Sequence, residues 1–175
     1  MSDDALIRLG RSTLEAITGI LEMHAPGQVA PGDVTVVSDP FELVPAPAVA
    51  SSVSYVDGVT GGNVFVMTLD GARRLAAAMI GGDEPGDQAA SELSELELSA
   101  VDEATNQMMS SAAIATSAVL GAEVEIGAPT TRTFLAPADA RDVYPATPTR
   151  RVPSFRCAVG PARWFSSSRA PSWCG

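Results

Sequence analysis

The first segment of the chain repeats apolar residues every three or four positions, as one buried face of an amphipathic helix requires. These residues are Leu6, Leu9, Leu14, Ile17, Ile20 and Leu21. Pro26 and Gly27 predict the end of this helix. Three segments that alternate or are rich in β-branched residues follow, namely GDVTVVSDP, PAPAVASSVSYVDG and GGNVFVMTL. They predict three strands.

A second, shorter helix is predicted over LDGARRLAAAMIGG, with Asp70 near its start and Gly81 as its C-terminal cap. The first half of the chain, about residues 4–80, is therefore predicted to run helix, three strands, helix. The segment GGDEPGDQAASE, residues 81–92, is acidic and contains Gly and Pro, which is typical of a linker.

The pattern then restarts, and the second half is taken to begin at residue 93. Ser94 and Glu97 match a capping box, which opens a helix predicted to reach Leu120 and to stop at Gly121. Its predicted apolar side consists of Leu98, Val101, Met108, Ala112, Ala115 and Val119. AEVEIGAP predicts a strand that ends at Pro129. Because a strand follows a long helix in both halves, the sequence indicates an internal duplication.

Charge divides the chain into two regions. All 11 basic residues are Arg. Residues 1–131 hold 4 of them against 19 acidic residues, a net charge of −15, whereas residues 132–175 hold 7 against 2, a net charge of +5. An acidic body repels phosphate backbones, so nucleic acid is not an expected partner. The basic tail shows no clear period outside Ser154–Val159, and we expect an atypical tail, either disordered or a truncated continuation, without the strands that a mirrored second half requires.

The two cysteines, Cys157 and Cys174, lie in this tail without the His or Cys neighbours of a zinc site. We therefore expect no metal site and no disulfide. No apolar run is long enough to span a bilayer, and the acidic start MSDDALIRLG does not resemble a signal peptide. The expected location is cytoplasmic, without membrane insertion.

One stripe of the second long helix is polar. Ser99, Glu103, Asn106 and Ser110 follow one another at intervals of three or four residues within SAVDEATNQMMSSA, so a carboxylate and an amide lie side by side on the helix surface. By spacing alone, this stripe is most typical of a solvated helix face.

The surrounding segment, LSELELSAVDEATNQMMSSAAIATSAVLGAEVEIGAP, resembles the CheC/FliY/CheX family of chemotaxis phosphatases. Members of that family carry Ser or Asp, three residues, Glu, two residues, Asn, and then 22 residues before Pro. Here these positions are Ser99, Glu103, Asn106 and Pro129. NQMMSSA and MTLDGARRLAAAMIGGDEP resemble most the CheC-like domain of the flagellar FliY branch. The resemblance covers about residues 6–132, and residues 1–131 are taken as the CheC-like domain.

The resemblance implies an α+β fold, in which two pseudo-symmetric halves share an antiparallel sheet with the long helices packed on one side. It implies hydrolysis of the aspartyl phosphate of the response regulator CheY. Asn106 would hold the attacking water, and Glu103 would engage an active-site lysine of the regulator. Ser99 is a position of the pattern, and Pro129 is expected to be a structural residue that ends a strand.

By the same resemblance the regulator brings the Mg²⁺, so the chain needs no cofactor of its own. Its expected partners are phosphorylated CheY and other flagellar switch proteins, at the cytoplasmic face of the flagellar basal body. The alternative is a non-catalytic component of the motor switch that binds CheY and other switch proteins.

The first half carries only a degenerate version of the site. Glu15 is followed three residues later by Thr18, which is too short to replace Asn, and Pro40 comes one residue too early. No catalytic role is expected there. His24, close to a helix end, is interpreted as a surface or capping residue.

Overall fold

The computed structural model describes residues 3–27, 29–37, 46–57, 60–81, 92–135, 139, 154–159 and 162–169. Three helices and seven strands occupy them. In chain order they are α1 (Asp3–His24), β1 (Pro31–Val37), β2 (Ala48–Asp57), β3 (Thr60–Thr68), α2 (Leu69–Ile80), α3 (Glu95–Leu120), β4 (Glu125–Ile126), β5 (Thr130–Phe134), β6 (Ser154–Val159) and β7 (Ala162–Arg169).

The strands form one antiparallel sheet in the order β1-β6-β7-β3-β2, with β4 and β5 both paired to the remaining edge of β2. This strand order is approximately symmetric about its centre. The hairpin of β2 and β3 corresponds to that of β6 and β7, and β1 lies beside β6 as β5 lies beside β2. The pseudo-twofold axis therefore passes between β3 and β7, which pair with each other. The predicted α+β fold with two pseudo-symmetric halves is confirmed.

The helices cover one face of this sheet. Four core residues lie at even intervals along their strands, Val49 and Val53 on β2 and Phe65 and Met67 on β3. Because Val49 pairs with Met67, all four share one face of the sheet. They pack with buried residues of all three helices. The long helices α1 and α3 contact each other, α1 beside β1 and β6, and α3 beside β2 and β4. No helix among the described residues is long and apolar enough to cross a membrane.

The predicted C-terminal cap of α2 is confirmed, whereas its N-terminal cap, Thr68, was not predicted. Thr68 caps α2 by accepting a hydrogen bond from the Gly71 N–H, and Gly81 ends α2 with a φ of 78°. Asp70 lies in the first turn of α2, where a carboxylate is favoured by the helix dipole. Left-handed backbone at Gly81 costs little because glycine has no Cβ.

The strand predicted over AEVEIGAP is split in two. Only Glu125–Ile126 forms β4, and β5 begins at Thr130. Between them the Gly127 N–H still donates to the Ser54 oxygen at 2.9 Å. Pro129 therefore directly precedes a strand, and the expectation that it ends one is wrong. A proline is tolerated there because its missing N–H lies outside the ladder.

The expectation that the tail supplies no further strands is also wrong. The boundary predicted at residue 131 falls inside β5, and β6 and β7 come from the basic tail. These two strands lie between β1 and β3, so they join the two halves of the sheet. The weakly patterned segment Ser154–Val159 is β6. Residues 140–153 of the tail, and residues 82–91 of the predicted linker, lie outside the described residues.

Candidate functional site

The helix α3 carries the polar stripe and is fixed at both ends. The capping box forms as predicted, because the Ser94 side chain accepts from the Glu97 N–H while the Glu97 carboxylate accepts from the Ser94 N–H. At the other end Gly121 has a φ of 67°, and its N–H donates to the Ser117 oxygen. Both ends of the helix are thus capped, and the 26-residue helix presents a regular surface between them.

The buried side of α3 is wider than the apolar side predicted from the sequence. Of the predicted residues, Val101, Met108 and Ala112 are buried, Leu98 and Ala115 are half-buried, and Val119 is exposed. The additional buried residues are Ala104, Thr105, Met109, Ala113 and Thr116. They are covered because α3 contacts both α1 and α2. A helix held on two sides has little freedom to rotate, which fixes the direction of its remaining face.

That remaining face holds the predicted site. Ser99, Glu103, Asn106 and Ser110 are all exposed. At about 100° per residue they fall within about 60° of one another around the helix axis. Glu103 and Asn106 are therefore brought together by helix geometry alone. Pro129, by contrast, lies off the helix and is half-buried before β5.

Glu103 is held by a hydrogen-bonded chain of side chains. The Gln107 Nε2 donates to Glu103 Oε1 at 2.8 Å. The Gln107 Oε1 lies 3.0 Å from Nε2 of His24, which is half-buried at the last residue of α1. Asn106 makes no side-chain hydrogen bond to any other residue in the described part of the chain.

The sequence pattern singled out neither Gln107 nor the contact that His24 makes with it. Gln107 could have been noticed, because it lies four residues after Glu103, at the distance where helix side chains meet. The bond between His24 and Gln107 spans 83 positions in the chain. It depends on how α1 packs against α3, so no local pattern signals it. His24 is thus a contact between the two long helices and not only a surface or capping residue.

The exposed face of α3 is negatively charged and partly apolar. The helix contains Glu95, Glu97, Asp102 and Glu103 but no Lys or Arg. Leu96 is 65% exposed and Ile114 is 73% exposed. These two residues are 18 positions apart, or five helical turns, so they flank the polar stripe at its two ends on nearly the same side. No group of three or more His, Cys, Asp or Glu in the described residues could hold a metal ion.

The equivalent place on α1 differs in detail. Glu15 is exposed, but Thr18 is half-buried. The Thr18 hydroxyl is buried and has no hydrogen-bond partner among the described residues. Thr18 therefore faces the packed side of its helix, whereas Asn106 faces out. The first-half pair therefore does not present two exposed polar side chains.

Comparisons with known proteins identify similar sequence and similar fold. The model of the CheC-like family matches residues 96–131, which include the whole polar stripe and Pro129. The flagellar motor switch phosphatase FliY of Bacillus subtilis is 36% identical over 135 residues, covering 74% of this chain. The chain spans only 35% of the length of that relative.

Solved structures share the whole fold. FliY of Thermotoga maritima superimposes with a TM-score of 0.70 and 24% identity, covering 98% of this chain and 92% of that one. A chain of the CheX–CheY–BeF₃–Mg²⁺ complex of Borrelia burgdorferi gives a TM-score of 0.61 with 14% identity, covering 93% of this chain and 99% of that one. With the two-half topology and the site pattern already described, these matches lead to one assignment: the chain belongs to the CheC-like family.

Proposed function

We propose that this domain hydrolyses the aspartyl phosphate of a CheY-type response regulator. The observation that carries the proposal is the side-by-side exposure of Glu103 and Asn106 on a rigid helix. The name of the B. subtilis relative as a phosphatase supports it. The CheX complex, which contains CheY with BeF₃ and Mg²⁺, supports a regulator as the partner.

In this proposal Asn106 positions the attacking water. The side-chain amide can donate one hydrogen bond and accept another, so it can orient a water without taking its proton. The water oxygen attacks the phosphorus in line with the bond to the aspartyl oxygen. That bond breaks, releasing inorganic phosphate and leaving the regulator's carboxylate. Positioning is the main requirement of such a loose phosphoryl transfer.

Glu103 contributes through charge. Its exposed carboxylate would pair with a lysine ammonium in the active site of the regulator and so hold the two proteins in the docked geometry. The Mg²⁺ of the reaction belongs to the regulator, and the domain brings no cofactor of its own. The absence of basic residues on α3 suits a partner surface that presents a cation.

A protein substrate suits this face better than a small molecule. The exposed side chains Leu96 and Ile114 flank Glu103 and Asn106 at the two ends of the stripe. Exposed apolar side chains around a polar centre are typical of protein interaction surfaces. The long convex face of a helix also offers no concave pocket of the kind that encloses small ligands.

The experiment measures phosphate release from the phosphorylated regulator in the presence of the domain. Asn106→Ala should lower the domain-stimulated rate by about a hundredfold, equivalent to about 2.7 kcal/mol of transition-state stabilisation. Ser110→Ala is the matched control, because Ser110 is exposed one turn further along the same face. If Asn106→Ala keeps the parent rate, the water-positioning role is wrong.

A second candidate is a non-catalytic component of the flagellar motor switch, at the cytoplasmic face of the basal body. The relative's name, which places it in the motor switch, favours this candidate. Co-purification with other switch proteins, unchanged by Asn106→Ala and without phosphate release by the parent, would support it over the enzyme.

A further inference from the structure

The orientation of the Gln107 amide can be deduced from its neighbours. A carboxylate only accepts hydrogen bonds, so the amide nitrogen must face Glu103 Oε1, 2.8 Å away. The amide oxygen then faces His24, whose Nε2 lies 3.0 Å from it. An amide oxygen also only accepts, so the His24 Nε2 must carry a hydrogen. The hydrogen bonds therefore run in one direction, from the His24 N–H through Gln107 to Glu103.

His24 ties this series of hydrogen bonds to a helix other than α3. A Gln–Glu pair four residues apart on an exposed helix surface is a weak interaction by itself. His24, however, belongs to α1, where the chain turns at a defined point. The Ala25 N–H donates to the Leu21 oxygen at 2.8 Å, and the Gly27 N–H donates to Glu22 Oε1 at 2.7 Å. A half-buried side chain on a second helix restricts Gln107, and Gln107 in turn restricts Glu103.

We propose that His24 is a positioning residue, which acts through Gln107 to hold Glu103 in the conformation that meets the partner's cation. This proposal rests on the function proposed above for Glu103. Restricting the Glu103 side chain before docking reduces the entropy lost when the complex forms. The first half of the molecule, without a working site of its own, thus supports the site of the second half.

The kinetic test separates docking from chemistry. Since Glu103 serves docking and Asn106 orients the water, His24→Ala should raise KM for the phosphorylated regulator about fivefold and leave kcat within about twofold. His24→Gln should restore most of the affinity, because its Nε2 can reach the same place and donate. Met23→Ala is the control, since Met23 is the exposed neighbour at the same helix end and should leave both constants unchanged.

A double-mutant cycle tests whether His24 acts through Glu103. In the Glu103→Ala background, His24→Ala should have no further effect on KM. If the fivefold loss persists in that background, His24 acts through the local fold of α1, and the proposal is overturned. Loss of affinity that His24→Gln does not restore overturns it as well.

A measurement without activity examines the same link. In the NMR spectrum, the side-chain amide signals of Gln107 should move toward those of a solvated glutamine in His24→Ala but not in Met23→Ala. Unchanged Gln107 signals overturn the positioning role even if the parent is active. A parent domain that releases no phosphate overturns instead the function proposed for Glu103, and the role of His24 falls with it.

Discussion

The two long helices occupy equivalent places in the fold but present different surfaces. Both precede strands of their own half, and they pack against each other across the pseudo-twofold axis. On α3 the Glu–Asn pair faces out. On α1 the corresponding Glu15 remains exposed, but Thr18 turns a buried hydroxyl toward the packed side. Duplication of the fold has therefore not duplicated this pair of exposed side chains.

This difference distinguishes the helix positions that packing constrains from those that it does not. Both helices contribute a continuous set of buried residues to the same core, among them Leu9 and Ile17 on α1 and Val101 and Met108 on α3. Packing constrains these positions in both halves. The outward positions are not constrained by packing, so they can keep or lose a function without disturbing the fold. His24 of α1 contacts Gln107, which in turn donates a hydrogen bond to Glu103.

The largest expected effect comes from making α3 resemble α1. Asn106→Thr removes the amide and should reduce domain-stimulated phosphate release by about a hundredfold, to nearly the rate of the regulator alone. The reciprocal change, Thr18→Asn, should create no second site, because position 18 is half-buried. Phosphate release measured with both variants checks the comparison. Substantial activity of a protein carrying both changes would show that the two helices are interchangeable.

Removing only the charge of the pair should have a smaller effect. Glu103→Gln can still accept a hydrogen bond from Gln107 but cannot form an ion pair. Because hydrogen bonds to charged groups are stronger than neutral ones, KM should rise about tenfold, or about 1.4 kcal/mol. Added salt should weaken regulator binding to the parent more than to this variant. Titration of the regulator at two salt concentrations measures both effects, and equal salt dependence would contradict the charge role.

A substitution at the start of α3 should lower the stability of the domain without lowering its rate of phosphate release. Ser94→Ala removes the capping hydroxyl, which accepts from the Glu97 N–H at 3.3 Å, and should cost about 1 kcal/mol in the free energy of unfolding. Ser110→Ala, in the helix interior, should cost nothing. Denaturant unfolding measures both values. Phosphate release at saturating regulator should be the same for both variants, and a large loss for Ser94→Ala alone would show that the site depends on the helix end.

Local chemistry allowed much of this structure to be predicted from the sequence. The capping box at Ser94 and the glycines after α2 and α3 are decided by residues within one helical turn, and they were predicted correctly. The spacing of Glu103 and Asn106 placed them on one face for the same reason. The chemistry proposed for them rests on the resemblance to a family, because a polar stripe by itself is typical of any solvated helix.

Features that depend on distant partners were missed. β6 and β7 lie between β1 and β3, and strand formation there depends on pairing with segments more than 90 residues earlier in the chain. The dipeptide Gly160–Pro161, which is typical of turns, lies between the two segments in the sequence but was not used in the prediction. The bond between His24 and Gln107 likewise follows from the packing of two helices. No periodicity within either helix contains that information.

The smallest expected effect concerns the buried Thr18 hydroxyl, at the α1 position that corresponds to the exposed Asn106 of α3. Thr18→Val keeps the branched shape but removes an oxygen that is buried without a partner among the described residues. It should raise the free energy of unfolding by about 0.5–1 kcal/mol, because the cost of burying that oxygen disappears. Thr116→Val is the matched control on α3, since the Thr116 hydroxyl donates to the Ala112 oxygen at 2.8 Å, and it should bring no gain. Thermal unfolding of both variants measures the difference. A clear loss of stability in Thr18→Val would mean that the hydroxyl is satisfied in solution and that position 18 retains a polar role. If phosphate release is unchanged in the same variant, the hydroxyl serves the stability of α1 and not the reaction proposed at α3.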